Sequence, residues 1–394
     1  MSKLEELLQG VDVEWKALGD ISEIYGGLKG KNKSDFTDGN AKYVTYKNIY
    51  NNIEVDLEAL EMVKVSSNEN QYEVKYGDVL FTGSSENASE AGISSAVTFN
   101  SEAKVFLNSF SFGLRFKSEI KILPEFSKYL FRSKSIRDEI IKTASGVTRY
   151  NVSKKRFVKI KIPIPCPDNP EKSLEIQQEI VRVLDELTSL TNQLTTELET
   201  ERQNRKKQFE FFREQLFRFE EGELDLVKLG DLCKIASGKN KDKSDNGKYI
   251  LYGSTGIIGK TDVKKFDSER ILVARVGANA GFVYIADGEY DVSDNALVIE
   301  KSEKVLTKFL YYFLFNMNLN QFAKGAGQPL ITGTFLKNIY ISIPSQEEQE
   351  CIVKLLDQFD ATHTAIEEEI SKEIKLRTQQ YEYYREKLLS FPQN

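Results

Sequence analysis

The stretch Gln177-QEIVRVLD-Glu186 returns as Gln349-ECIVKLLD-Gln358, and Gln208-FEFFREQL-Phe217 returns as Gln380-YEYYREKL-Leu389. Asp185 aligns with Asp357, and Arg213-Glu214 with Arg385-Glu386, both at an offset of 172 residues. A gapless repeat of this length sets the plan of the whole chain before any short motif is weighed. Ile180, Leu184, Leu187, Thr191, Leu194 and Leu198 recur at alternating spacings of three and four, as do Ile352, Leu356, Phe359, His363, Ile366 and Ile370. That spacing marks a coiled-coil seam rather than a lone amphipathic face. Thr191 and His363 hold equivalent seam positions, 172 residues apart. Polar residues there set register at a cost in stability, so His363, the single histidine, is read as a packing or register residue. If a two-fold axis across the seam relates the halves, the helices run antiparallel. A helix of ~40 residues spans ~60 Å.

Each long helix follows a globular block, and the blocks also repeat. Leu18-GDI-Ser22 matches Leu229-GDL-Cys233, and Lys42-YVTY-Lys47 matches Lys248-YILY-Gly253. Gly77-DVLFT-Gly83 matches Glu269-RILVA-Arg275, both β-like. Leu123-PEFSKYLFRS-Lys134, with its early proline, and Leu306-TKFLYYFL-Phe315 read as helices. Phe157-VKIKIPI-Pro165 and Ile339-YISI-Pro344 read as strands ended by proline. The expected organisation is an N-terminal helix over 1–14, a first block over 15–171, a helical spacer over 172–222, a second block over 223–344 and a distal spacer over 345–394. The fold class is α+β: two globular α/β domains joined by two long helices in an antiparallel coiled coil with pseudo-two-fold symmetry.

The net charge of −6 argues against nucleic acid until it is divided along the chain. Residues 1–171 are neutral overall, with 24 basic and 24 acidic side chains; residues 225–344 carry +3. The acid lies in the helices: −4 over 172–224 and −5 over 345–394. A neutral or basic block can still present a basic face. No run of apolar residues is long enough for a membrane span. The start, Met1-SKLEELLQG, lacks the apolar core of a secretion signal. Cys166, Cys233 and Cys351 are scattered, and with one histidine they make no zinc set. A reduced, cytoplasmic protein is expected.

No catalytic constellation stands out. Gly253-STGIIGK-Thr261 misses the P-loop spacing by one residue and reads as a glycine-rich hairpin. Pro167-DNPE-Lys172 lacks the second acidic strand of a nuclease site and reads as a linker. The basic and amide-bearing loops are the candidates for DNA contact: Lys29, Lys31, Lys33, Arg149, Tyr150, Asn151, Lys154 and Lys155 in the first block, and Lys239, Lys241, Lys243, Arg275, Asn279, Lys324 and Gln328 in the second. Arg, Lys, Asn and Gln are the side chains that reach phosphates and base edges. Solvated loop lysines would explain any one of these positions. Similar clusters in both blocks weigh against that for the set. Phe211, Phe212, Tyr383 and Tyr384 exceed what a narrow seam needs. They read either as packing against the blocks or as a docking face for another subunit.

With block, Ile-Pro strand and long helix each present twice, the chain resembles a type I restriction–modification specificity subunit over nearly its whole length. It most resembles the IC subclass, through Ile162-PIPCPDNPEKSLEIQQEIVRVLD-Glu186 and Leu194-TTEL-Glu199, where that group has a TAEL-type repeat. Tyr252-GSTGIIG-Lys260 and Val292-SDNALVI-Glu300 are similar to second-domain motifs of the wider family. The resemblance implies that each block is a target-recognition domain reading one half of a split DNA sequence, and that the helices set the spacing and bind two methyltransferase subunits. It implies no cofactor on this chain. S-adenosylmethionine for adenine methylation, and ATP and Mg for cleavage with restriction/translocase subunits, belong to the partners. Two other readings are a free-standing two-domain DNA-binding regulator and a coiled-coil scaffold.

Overall fold

The repeated stretches form two continuous helices, Pro170–Gln215 and Gln346–Leu389, of 46 and 44 residues. Asn169 opens the first, its Oδ1 accepting the Lys172 N–H at 3.1 Å. At the second, Ser345 Oγ accepts the Glu348 N–H and Glu348 Oε2 accepts the Ser345 N–H, a reciprocal cap. The computed structural model describes residues 11–219, 224, 226–241, 243–244, 246–325 and 327–392. The chain divides into two units, one made of residues up to Thr196 plus those from Glu373, the other of Glu197–Lys372. Each unit therefore contains one half of each long helix.

In the first unit, Ser22–Gly26, Ser111–Phe116, Val79–Thr82 and Ser94–Ala96 form an antiparallel sheet in that order. A second sheet orders Glu61–Val63, Ala41–Val44 and Val105–Leu107, the last two parallel. Val13–Ala17 pairs antiparallel with Lys161–Pro165 and brings the block back to the start of the long helix. The second unit repeats this order: Ile235–Ser237, Ala296–Ile299, Arg270–Ala274, Val283–Ala286; then Gly256–Thr261, Tyr249–Gly253, Tyr290–Val292; then Leu226–Lys228 with Tyr340–Ser342. The second sheet again carries one parallel pair, Tyr249–Gly253 with Tyr290–Val292.

Each block packs on the near half of its own helix and receives the end of the other. In the first unit Ile176, Ile180 and Leu184 share a buried cluster with Phe126, Phe131, Leu388, Leu389 and Phe391. Trp15 Nε1 donates to the Pro392 carbonyl at 2.8 Å. In the second unit Ile352 and Leu356 share a cluster with Phe309 and Leu314, and Leu216, Phe217 and Phe219 pack against it. Within this unit Arg202 pairs with Glu367, Phe209 stacks on His363 and Phe212 on Phe359. Partner numbers fall as residue numbers rise, so the helices run antiparallel. The His363 ring lies flat on Phe209 at 5.2 Å, a packing role.

Away from the blocks the seam residues Leu187, Thr191 and Leu194 are only half-buried. A pair of helices covers one side of each seam and leaves the other to water.

A buried carboxamide fastens each block to its helix. Gln177 Oε1 accepts the Leu123 N–H and its Nε2 donates to the Lys121 carbonyl. Gln349, 172 residues on, does the same to Leu306 N–H and Lys304 O. Tyr129 OH donates to Asp185 and Tyr312 OH to Asp357. One geometry is thus built twice from the repeated Gln and Asp.

Two expectations need correcting. Of the helix expected over 1–14, residues 1–10 lie outside the described residues, and Val13 and Glu14 belong to strand Val13–Ala17. The strand expected from Phe157 starts at Lys161; Lys154–Phe157 is a helical turn that buries the Phe157 ring. The matched segments Leu18–Ile21 and Leu229–Leu232 are single turns of helix.

Candidate nucleic-acid interface

In each block the strands of the larger sheet end in loops that meet on one face. Gly27 and Gly238 follow the first strand of each sheet, where an added Cβ would lie 1.8 Å from the Asn108 carbonyl oxygen and 2.2 Å from that of Ser293. This close approach joins the lysine-bearing loop to the turn at 108–111 in one block and at 293–296 in the other. Leu28 N–H donates to Leu107 O, and Lys239 N–H to Val292 O. The same turns take the next loop: Gly83 N–H donates to Phe110 O, and Arg275 N–H to Asn295 O. A fourth loop is tied in through Val152 N–H to Gly83 O and Ile331 N–H to Arg275 O. That loop turns on Gly146 in one block and Gly325 in the other, at φ +153° and +117°. A Cβ at either would strike the carbonyl oxygen three residues ahead, that of Arg149 or Gln328.

The structure gathers most of the sequence candidates on these faces. In the first block, Lys154 holds its ammonium 5.5 Å from the Phe112 ring centroid. Burial there, with the nearby Lys29 charge, lowers its pKa. Arg149 is exposed, with Nε donating to Ser84 Oγ at 3.0 Å and its guanidinium 5.7 Å from the Phe110 centroid. Lys33 lines an open cleft of about 1000 Å³ with Phe110, Tyr46 and Lys47. Lys29 has its backbone tied on both sides to the Gln71 carboxamide. Tyr150 and Asn151 pair in a strand with Ser85 and Ser84, and Asn151 and Lys155 are exposed.

Lys31 stands apart. Its side chain is 6% exposed and is held by Glu69 at 2.5 Å, which leaves little of the ammonium for a phosphate.

In the second block, Lys241 reaches the Asp294 carboxylate at 3.8 Å, and Arg275 Nη1 donates to the Asp294 carbonyl. Lys239 and Lys243 are exposed. Leu330 bridges both Val276 and Lys324, so the loops carrying Arg275, Asn279, Lys324 and Gln328 lie together. The glycine-rich run is the hairpin Tyr249–Gly253 and Gly256–Thr261.

Sequence reasoning missed two exposed aromatics on these faces, Phe110 at 62% and Phe282 at 50% exposure. Their signal is weak, since each sits two residues before another aromatic, Phe112 or Tyr284. Phe211, Phe212, Tyr383 and Tyr384 are all exposed on the long helices at 40 to 62%. Phe211 contacts Phe212, and Tyr383 contacts Tyr384, in the same edge-on arrangement. Among the described residues no cluster of side chains suits a metal ion, and no helix is long and apolar enough to cross a membrane.

Residues 10–201 and 221–376 match the family described as type I restriction modification DNA specificity domain. The EcoprrI type I restriction enzyme specificity subunit of Escherichia coli is 30% identical over 379 residues, covering 93% of this chain and 92% of its own. The EcoR124I/EcoR124II specificity subunit of Escherichia coli is 36% identical over 260 residues, covering 59% of this chain and 63% of its own. A chain from a structure of complex assembly and conformational transition of the type I R-M system shares the fold, with a TM-score of 0.78, 17% identity and 96% of this chain covered against 97% of that one. The HsdS subunit from Thermoanaerobacter tengcongensis does so at a TM-score of 0.59 and 16% identity, covering 96% and 95%.

Proposed function

Because this chain belongs to the type I restriction–modification DNA specificity family, we infer that its two loop faces are the surfaces that read DNA, one half of a split target each. The chain is the specificity subunit of such an enzyme and is itself non-catalytic. The observation that carries the assignment of the faces is the duplication of one loop scaffold, closed by the same three backbone hydrogen bonds, with basic and amide side chains presented in both copies. Charge on such a face positions the protein on phosphates, and planar polar groups read bases. The face in the first block comprises Lys29, Lys33, Arg149, Tyr150, Asn151, Lys154 and Lys155. That in the second comprises Lys239, Lys241, Lys243, Arg275, Asn279, Lys324 and Gln328. The two blocks, 15–171 and 223–344, act as separate target-recognition domains.

The finer partner assignments rest on this reading. The paired aromatics Phe211–Phe212 and Tyr383–Tyr384 dock two methyltransferase subunits, one per aromatic pair. Their duplication by the repeat and their exposure on otherwise acidic helices support this. Those subunits hold S-adenosylmethionine and methylate adenine. Restriction/translocase subunits bring ATP and Mg. The complex works in the cytoplasm, and the Thr195-TEL segment favours the IC subclass.

Co-expression of the chain with the methyltransferase subunits of its system, followed by methylation mapping of the host genome, tests the reading. The expected result is adenine methylation at one bipartite motif. A chain that binds one DNA sequence tightly by itself and ignores the methyltransferase would favour a free-standing regulator.

A further inference from the structure

Resting on the specificity-subunit reading, we propose that Arg149 and Gln328 occupy one and the same reading position in the two blocks, and that each recognises a purine through its major-groove edge: guanine for Arg149, adenine for Gln328.

The equivalence comes from the fold. Each residue lies three places after the glycine that turns its loop, Gly146 or Gly325, and its carbonyl faces that glycine in both copies. Three residues further on, Val152 and Ile331 make matching backbone bonds to Gly83 and Arg275. The side chains differ in charge, so a shared phosphate contact explains the pair poorly. What a guanidinium and a carboxamide share is a planar end that makes two hydrogen bonds at once. Arginine matches the two acceptors of guanine, N7 and O6; glutamine matches the acceptor and donor of adenine, N7 and N6.

Elimination within each block points the same way. The first block has five arginines. Arg115 spends its Nη2 on Asp78 and Glu73, and Arg132 on the carbonyls of Ile49 and Asn52. Arg137 binds the carbonyls of Gly92, Ser89 and Ala91, and Arg156 binds the Lys142 carbonyl and the Ser145 hydroxyl. Arg149 anchors through Nε, to Ser84, and of the five it alone makes no Nη hydrogen bond among the described residues. The Phe110 ring beside it limits the orientations of the fork. A fork held in place before binding loses less entropy on contact. In the second block, Gln321 donates to the Met317 carbonyl, whereas the Gln328 carboxamide makes no hydrogen bond among the described residues.

The test uses the full chain in complex with its methyltransferase subunits. Methylation mapping of the Arg149→Gln complex should show one position of the first half-site changed from guanine to adenine or degenerate, with the second half-site intact. Gln328→Arg should change one adenine of the second half-site only. Arg149→Lys keeps the charge without the fork and should still lose discrimination at that one position. Where a variant modifies too little DNA to map, competition binding with duplexes altered one base pair at a time decides. The proposal requires a preference of roughly 10- to 100-fold to vanish at a single purine. A first half-site without guanine, an unchanged motif in all variants, or equal weakening on every duplex overturns it. A wild-type complex with no sequence-specific methylation instead refutes the specificity reading on which it rests.

Discussion

At the scale of the residue, the side chains that hold this protein together differ from those that announce it in the sequence. Gln177 and Gln349 head the repeated stretch, yet nothing in their type says that each is buried and bonded on both sides of its carboxamide. Their role depends on the loop before the short helix of each block, which is remote in sequence. Removing such a group leaves a buried donor and acceptor unpaired, which costs about 1–3 kcal/mol. Gln177→Ala is expected to speed hydrogen exchange at the Leu123 amide and to lower the stability of the first unit by that amount; Gln349→Ala should do the same at Leu306. Unchanged protection at both amides would remove the clamp from the account.

The Lys31–Glu69 pair makes a second prediction. Hydrogen bonds from Lys31, from Gln71 and from the Ser66 backbone hold the Glu69 pKa at about 2, down from 4.5. A depressed carboxylate stabilises the fold fully above 4.5 and loses that contribution as pH falls towards 2. Amide protection over residues 28–33 should therefore hold at neutral pH and weaken in acid, and Lys31→Met should flatten that dependence. An unaltered acid profile in the variant would sever the link.

At the scale of the element, the sequence carried the helices well and the strands poorly. The long helices and two of the short ones, Pro124–Leu130 and Thr307–Asn316, follow from apolar periodicity and, in the first short one, from the early proline, whereas Tyr46–Asn51 and Lys134–Lys142 were not legible. Strands such as Ser94–Ala96 and Val105–Leu107 are three residues long and wholly buried, so no alternation marks them. The candidate loops were legible as clusters of lysine and amide. Their convergence was not, because it depends on the turn at 108–111 and its counterpart.

The weakest stretch of the seam yields the prediction for this scale. Between Leu190 and Glu201 the helix carries Thr191, Thr195 and Thr196 and buries no side chain fully. One added Thr-x-Glu-Leu unit lengthens the helix by ~6 Å and rotates the residues beyond the insertion by ~40°. A half-buried pair can absorb that as a local stutter. DNA rises ~3.4 Å per pair at about ten pairs per ~34 Å turn, so the gap between half-sites should grow by one or two pairs while both half-sites keep their sequence. Methylation mapping of the insertion variant checks this. An active complex with the old gap would show that this helix is not the ruler.

At the scale of the whole molecule, the repeat gives each unit a complete set of parts: two sheets, a strand pair that leads back to a helix, and a fastening by a buried Gln and a tyrosine-bonded Asp. Each core closes on the end of the other long helix, Leu388 to Phe391 in the first unit and Leu216 to Phe219 in the second. The first unit is therefore built from two separate stretches of chain, up to Thr196 and from Glu373, while its reading loops come from only one of them. This makes the blocks exchangeable as long as the helix contacts stay. Replacing residues 15–165 with the same block of a relative leaves Ile176, Ile180, Leu184 and the C-terminal Leu388, Leu389 and Phe391 in place. The replaced block must then supply side chains that fit those six. If it does, the complex is expected to methylate a hybrid motif in which only one half-site and not the other has changed, as read by methylation mapping. Loss of folding would show up as a chain that no longer co-purifies with the methyltransferase, which separates a packing failure from a recognition failure. A soluble, active hybrid with both half-sites changed would mean that the two faces do not read independently, and the assignment of one half-site to each block would be wrong.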